Sequence, residues 1–294
     1  MRIDAITIED VDRYARRKAA DGRLSNGSIN KTLNVLSAVL EQAVEYGWLG
    51  SNPARGRRRR LPTSAPRRAW LDRADHIAAL LDGATELDKR AVVRRGQRRA
   101  LVATLAFAGL RIGELLALTW RDVDLARGTI SVRHSKTNAG VRTVNIVPVL
   151  RDELLAYRAG LRDVAARDLV FGTSSGSRQG ATNVRRRVLA PAVKAANERL
   201  EEDGGEPLPE RLTPHSLRRT FASLLFAIGE PPPYVMAQMG HTTPALTLAI
   251  YAREMDRRDG EPERLRALIE GQELAPAGTS ESQTAATVDD ALAA

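Results

Sequence analysis

Along most of the chain apolar residues return every three or four positions, the spacing that lines one side of an α-helix; only one stretch alternates as strands do. Residues 7–19 predict a helix capped by Thr7, with Glu9 and Asp10 at its positive end and Arg16, Arg17 and Lys18 at its negative end. Ile29, Leu33, Leu36, Leu40 and Val44 predict a longer one over 28–46, stopped at Gly47. Helices over 72–81 and 96–108 follow, the second burying Leu101, Val102, Leu105 and Phe107 and broken by Gly109; L-R-I-G-E-L-L-A-L-T-W then opens another with Arg111 in its first turn. At 129–147 the period falls to two. Strands are predicted from Thr129 to Arg133 and from Val141 to Val147, joined by a turn containing Asn138 and Gly140. A helix over 181–199 comes next, and the fold class expected is mainly α with a small antiparallel β-sheet.

The pattern is richest from Arg211 to Arg253. Thr213 followed by Pro214 starts a helix that runs to Gly229, with Leu217, Phe221, Leu224, Leu225 and Ile228 on its core side and His215 with Arg218 together on the other. A short helix from Pro231 ends at Gly240, so His241 falls just past a turn. Thr243 and Pro244 repeat the start signal, and the helix they open carries Leu246 and Ile250 as a core stripe with Tyr251 beside it. A last amphipathic helix is predicted over 261–272 from Leu265, Leu268 and Ile269, with a disordered tail from Ala275.

Composition narrows the function. A chain of 294 residues has room for two domains, and a net charge of +9 with a pI near 10.4 favours a polyanionic partner, nucleic acid first. Most of the charge is arginine, since lysine occurs only at 18, 31, 89, 136 and 194. Segment 52–69, with three prolines and seven arginines, reads as an extended basic linker. Its Arg57, Arg58, Arg59 and Arg60, and Arg185, Arg186 and Arg187 further on, are candidate contacts to DNA phosphates. No cysteine is present, the four histidines at 76, 134, 215 and 241 lack metal-ligand spacing, and there is no G-x-x-x-x-G-K-[ST] loop. Neither metal, ATP nor any other cofactor is expected. No apolar run reaches the ~20 residues of a membrane span, so a cytoplasmic, nucleoid-associated protein is expected, with no membrane partner.

The succession H-S-L-R-R-T-F-A, then M-G-H, then a tyrosine ten residues on resembles the C-terminal signature of the tyrosine recombinases, the phage integrase family, although the His-to-Tyr interval is one residue longer than in many members. G-L-R-I-G-E-L resembles that family's first arginine motif, and S-K-T-N-A-G-V-R-T-V the hairpin bearing its catalytic lysine. S-N-G-S-I-N-K-T-L-N-V-L-S-A-V-L resembles a run in its core-binding domain. The resemblance implies a truncated helical (SAM-like) core-binding domain over 1–51, the basic linker over 52–69, a DNA breaking-rejoining catalytic domain over 70–260, a C-terminal helix over 261–274 and a disordered tail over 275–294. It implies a catalytic set of Arg111, Lys136, His215, Arg218, His241 and Tyr251, with Glu114 holding a neighbouring group in place.

That set suits phosphoryl transfer. A phenol with a pKa near 10 is only about 0.1% ionised at pH 7, so forming phenolate there costs about 4 kcal/mol unless a base or positive field helps. His215 and the arginines supply such help, the arginines fork onto phosphate oxygens, His241 donates a hydrogen bond, and by resemblance Lys136 protonates the departing 5′ oxygen. The function implied is site-specific recombination of double-stranded DNA attachment sites through a 3′-phosphotyrosyl intermediate, by a homotetramer on paired sites and with a directionality factor as a further partner. A type IB topoisomerase-like enzyme and a catalytically silent DNA-binding prophage remnant are the alternatives. Two further expectations concern the ends. The stripe over 261–272 is expected to dock on a neighbouring protomer. The matching region opens almost at Met1, which implies a truncated or reduced clamp with weak affinity and a shallow salt dependence.

Overall fold

Thr7 caps α1 (Ile8–Ala20) in a reciprocal box: its hydroxyl accepts from the Asp10 N–H at 3.2 Å, and the Asp10 carboxylate accepts from the Thr7 N–H at 3.1 Å. Ser25 caps α2 (Asn26–Glu45) through the Ser28 N–H. In the computed structural model, which describes residues 2–56, 59–63, 69–89, 96–133, 140–209, 211–240, 244–254 and 261–272, these helices form the first of two compact units, Met1–Arg67. Val11, Ala15, Ile29, Leu33 and Leu40 close its small core.

The basic segment departs from the extended tether that its composition predicts. Residues 52–56 and 59–63 lie along α2: Asn30 exchanges two 2.9 Å bonds with the backbone of Leu61, Asn26 donates to the Pro62 carbonyl, and Asn52 donates to the Ser37 carbonyl and the Glu41 carboxylate. Ala54 is buried, and Arg59 is held by the Arg55 carbonyl and Asp12. Three asparagines reaching backbone and carboxylate partners do this, and a charge-based reading gives them no weight. Arg60 is exposed; Arg57 and Arg58 lie outside the described residues, as does everything from position 273 on.

The second unit runs from Arg68. Helix α3 (Ala74–Lys89) extends a full two turns past the predicted end and packs with α4 (Gln97–Phe107). After α4 the chain turns at Gly109, and α5 (Ile112–Leu115) lasts only four residues, because Arg111 becomes its N-cap and Trp120 starts a 3₁₀ turn tied to the Asp168 carbonyl at 3.1 Å. Strands β1 (Val123–Asp124), β2 (Thr129–Val132) and β3 (Arg142–Asn145) form one antiparallel sheet in that order, pairing Ile130 with Val144 and Val132 with Arg142. The predicted turn residue Asn138 and Lys136 lie outside the described residues.

Helix α6 (Pro148–Ala159) was not foreseen, although Pro148 at its start and buried Leu150, Leu154 and Tyr157 at spacings of four and three supply a regular signal. The predicted 181–199 helix is α7 (Ala181–Val184), a π turn over Arg185–Leu189, and α8 (Ala190–Glu202), which packs on α3. The π turn exposes Arg185, Arg186 and Arg187 while burying Val188 and Leu189. Then come α9 (Pro214–Ala227), α10 (Pro232–Met239), α11 (Ala245–Glu254) and α12 (Glu261–Glu270). The side chain of Leu246 is outside the described set, and Ile250 is buried.

The stripe of α12 is covered within its own chain, contrary to the expectation that a neighbouring protomer takes it. Leu265, Leu268 and Ile269 are buried, α12 packs on α3, α6 and α9, and the Glu261 carboxylate accepts from the Ala74 N–H at 2.7 Å. An apolar stripe states the need for a partner and not which chain supplies it.

Gly109, just after α4, lies tight against α9. Its φ is +58°, and a Cβ there would stand 2.2 Å from Cδ1 of buried Phe221. Gly109→Ala combines a disfavoured backbone with overpacking, and a loss of about 3 kcal/mol in urea unfolding is expected. A variant as stable as the parent chain would mean that Phe221 moves aside freely.

Candidate active site

Arg218 sits in the middle of α9 and is 2% exposed. The helical wheel places it with His215 away from the core. The structure separates them: His215, one turn earlier near the open end of α9, is exposed, while Arg218 is enclosed. The enclosing groups are polar, which is why the apolar pattern gave no sign of them. Nη1 of Arg218 donates to the Gly109 carbonyl and Nη2 to the Met239 carbonyl at the end of α10.

Two more guanidiniums meet the same helix end. Arg142 donates from Nε to the Gln238 carbonyl at 2.7 Å, and Arg111 donates from Nη2 to the Gly240 carbonyl at 3.1 Å. Three successive carbonyls, at 238, 239 and 240, thus each accept from a different arginine. The last carbonyls of a helix have no partner within it and sit at its negative end, so cations are stabilised there. Gly240 closes α10 in the left-handed conformation expected of it, at φ +61°.

Glu114 joins two of the three arginines. Its Oε1 accepts from Arg111 Nη1 at 2.8 Å, and its Oε2 accepts from the Arg111 N–H at 2.9 Å and from Arg142 Nη2 at 3.1 Å. Burial alone raises a carboxyl, but here the bonds from Arg142 and Arg111 prevail and hold Glu114 below its ordinary value. Among the described residues the charge in the cluster does not balance. Burial first, then the neighbouring Arg111 and Arg142 push Arg218 down to about 9, and Glu114 only partly opposes them. The guanidinium that reaches solvent is Arg111, with a side chain 38% exposed against 6% for Arg142. A cationic cluster with one open edge and too little negative charge is built to receive an anion.

Tyr251 lies on α11, 39% exposed, with its ring against that of buried Phe226 at 5.1 Å between centroids and 62° between planes. Tyr234, the other candidate phenol of this region, accepts from Asn145 Nδ2 at 3.0 Å. Asn145 also donates its N–H to Gln238 Oε1 at 2.8 Å, which ties β3 to α10. The structure therefore brings Arg111, Arg218 and Glu114 together and sets Tyr251 and His215 on neighbouring, solvent-reaching helices. Lys136 and His241 lie outside the described residues. Arg142 is the member that sequence reasoning missed. Its signal was its place two residues before Val144, on the covered side of the strand, where an arginine needs a buried partner. Among the described residues no group of three or more His, Cys, Asp or Glu is placed to hold a metal, and no helix is long and apolar enough to cross a membrane.

The model of the phage integrase family matches residues 73–258, most of the second unit and well over half of the chain. The chain belongs to the phage integrase family. As such it is a tyrosine-type site-specific recombinase. Among its relatives, a tyrosine recombinase XerC of Azotobacter vinelandii is 30% identical over 228 residues, 76% of this chain and 68% of its own length. Among solved structures, the fold is similar to that of the Tn1549 transposon integrase in complex with transposon right end DNA, with a TM-score of 0.69 at 23% identity over 91% of this chain and 86% of that one. It is also similar to a lambda integrase tetramer bound to a Holliday junction, with a TM-score of 0.63 at 18% identity over 87% and 67%. In this recombinase the arginine motif, the hairpin base and the H-x-x-R helix converge on the end of α10, where the family signature places M-G-H.

Proposed function

We propose that this recombinase cleaves and rejoins double-stranded DNA through a 3′-phosphotyrosyl intermediate on Tyr251, without ATP or a metal ion. The observation that supports this most is the guanidinium cluster at the end of α10, which among the described residues has three cations, one carboxylate and an edge open to solvent at Arg111. A phosphodiester is the anion that a recombinase must bind, and its charge grows on the non-bridging oxygens in the transition state, where forked donors stabilise it most.

The Tyr251 oxygen attacks phosphorus, the bond from phosphorus to the 5′ oxygen breaks, and the phenol proton leaves to a base, for which His215 is the exposed imidazole of α9. Lys136 delivers a proton to the departing 5′ oxygen, and His241 donates a hydrogen bond to the phosphate. Attack by the 5′ hydroxyl of another strand reverses the step and restores a phosphodiester, so no bond energy has to be supplied from outside. Arg111 meets the phosphate directly, and Arg218 joins it from the enclosed side of the cluster. Exposed Arg60, Arg185, Arg186 and Arg187, together with Arg57 and Arg58, meet backbone phosphates, and a homotetramer assembles on paired attachment sites with a directionality factor setting the direction.

The test uses nicked duplexes with randomised central base pairs, so that the freed strand diffuses away and the intermediate accumulates. A denaturant-resistant protein–DNA adduct is expected with EDTA and without ATP, mapping to Tyr251 by mass spectrometry. DNA binding without an adduct would leave a silent DNA-binding protein, and relaxation of supercoiled DNA lacking any recombination site would favour a topoisomerase.

A further inference from the structure

Arg142 stands outside the set of groups that strand cleavage calls for, yet it is the most completely engaged arginine of the cluster. It is the first residue of β3, and each nitrogen of its fork has a protein acceptor: Gln238 O for Nε at 2.7 Å, Gly140 O for Nη1 at 2.9 Å and Glu114 Oε2 for Nη2 at 3.1 Å. Its side chain is as enclosed as the Glu114 side chain it meets. Three of its five N–H donors are committed inside the protein and its side chain is 6% exposed, so Arg142 presents little to a phosphate. What it can do is hold other groups still.

The group it holds is Glu114, and Glu114 in turn holds Arg111 by both guanidinium and backbone. Without Arg142, Oε2 of that buried carboxylate loses its guanidinium donor, and the Gln238 carbonyl loses the Nε bond beside the carbonyls that anchor Arg218 and Arg111. A carboxylate that loses that bond is freer to turn about its last bond, and the Arg111 fork that it holds through Oε1 turns with it. Displacements of about an ångström at such a site are costly, because forked bonds to phosphate depend on direction as well as charge.

We propose that Arg142 is a positioning residue which, through Glu114, fixes the Arg111 guanidinium where it meets the non-bridging oxygens of the scissile phosphate. This rests on the reading that Arg111 receives that phosphate. Lysine at 142 keeps the charge but cannot span three acceptors, so geometry and charge are separable.

The experiment starts from a nicked duplex selected from the randomised pool by the parent chain. The same duplex is then made with either the ordinary phosphodiester or a neutral methylphosphonate at the cleavage position. On the methylphosphonate the non-bridging charge that Arg111 neutralises is gone, so a defect acting through Arg111 shrinks there, whereas a general loss of structure does not. Arg142→Gln is expected to slow adduct formation roughly 100-fold on the phosphodiester and less than about tenfold on the methylphosphonate, with DNA binding little changed. Arg142→Lys is expected to show the same dependence on substrate, and it carries the test if Arg142→Gln does not fold, as thermal unfolding of each variant will tell. Equal deficits on the two substrates, or a parent-like rate for Arg142→Lys, would overturn the role of Arg142 and leave the reading of the site intact. Absence of an adduct from the parent chain on both substrates would instead overturn the reading itself, and the inference with it.

Discussion

Tyr251→Phe is expected to form no covalent adduct with nicked DNA while binding it within about twofold of the parent chain, the change that ~0.5 kcal/mol at a surface position allows. The substitution removes one hydroxyl and keeps the ring, so the edge contact with Phe226 at 5.1 Å survives and α11 has no reason to shift. The phenol is 39% exposed, so taking away its oxygen leaves no buried polar partner stranded. A whole order of chemistry is lost with that atom, since phenylalanine has nothing to attack with. Tyr234 is the control. Its hydroxyl already accepts from Asn145 on β3, and it lies on α10, before the carbonyls that the arginines occupy; Tyr234→Phe is expected to retain the adduct. Normal adduct from Tyr251→Phe, seen as a denaturant-resistant band, would show that another residue is the nucleophile.

Glu114→Ala should be the most damaging single truncation for the fold. It removes the carboxylate that Arg111 and Arg142 share and leaves Arg142 with a buried charge short of its counterion. Breaking a buried pair in this way costs about 3–5 kcal/mol, a large part of the stability of an ordinary domain. Urea unfolding at pH 7 measures it, and a variant within 1 kcal/mol of the parent, an upper limit drawn from exposed pairs at roughly 0–1 kcal/mol, would mean that water takes over the role of the carboxylate. The pH dependence gives a second check. Glu114 is held below its ordinary value in the folded chain, so the unfolded chain takes up its proton first as pH falls. Its contribution is therefore present in full above the ordinary glutamate value of about 4.3 and disappears as pH drops through the lowered folded value. The gap between parent and Glu114→Ala should be widest near neutrality and close in acid; a gap that widens in acid would contradict the ion-pair account.

How far the sequence disclosed this arrangement depends on which forces set each part. Helices with an apolar stripe were plain: Leu217, Phe221, Leu224 and Leu225 are all buried on α9, as their spacing predicts. Arg218 was misplaced on the same helix, because its wall is made of the carbonyls of Gly109 and Met239, and backbone acceptors leave no trace in a pattern of side chains. Arg142 was hidden for a similar reason, since its partners come from α5, α10 and the hairpin, far apart along the chain. The basic segment misled in the opposite direction. Its arginines announce solvent, while Asn26, Asn30 and Asn52 bind it to α2 through bonds that the residue type alone does not reveal. The site was legible as a list of residue types, and its geometry was written in main-chain oxygens.

The anchoring of α10 by successive carbonyls sets a rule for how chain length can vary around the site. Adding or deleting one residue within α10 would turn its end by about 100°, taking the oxygens at 238, 239 and 240 away from all three guanidiniums at once. The interval of ten residues from His241 to Tyr251 begins just beyond that anchor. An engineer grafting new segments onto this scaffold should cut after Gly240 and leave the eight residues before it untouched.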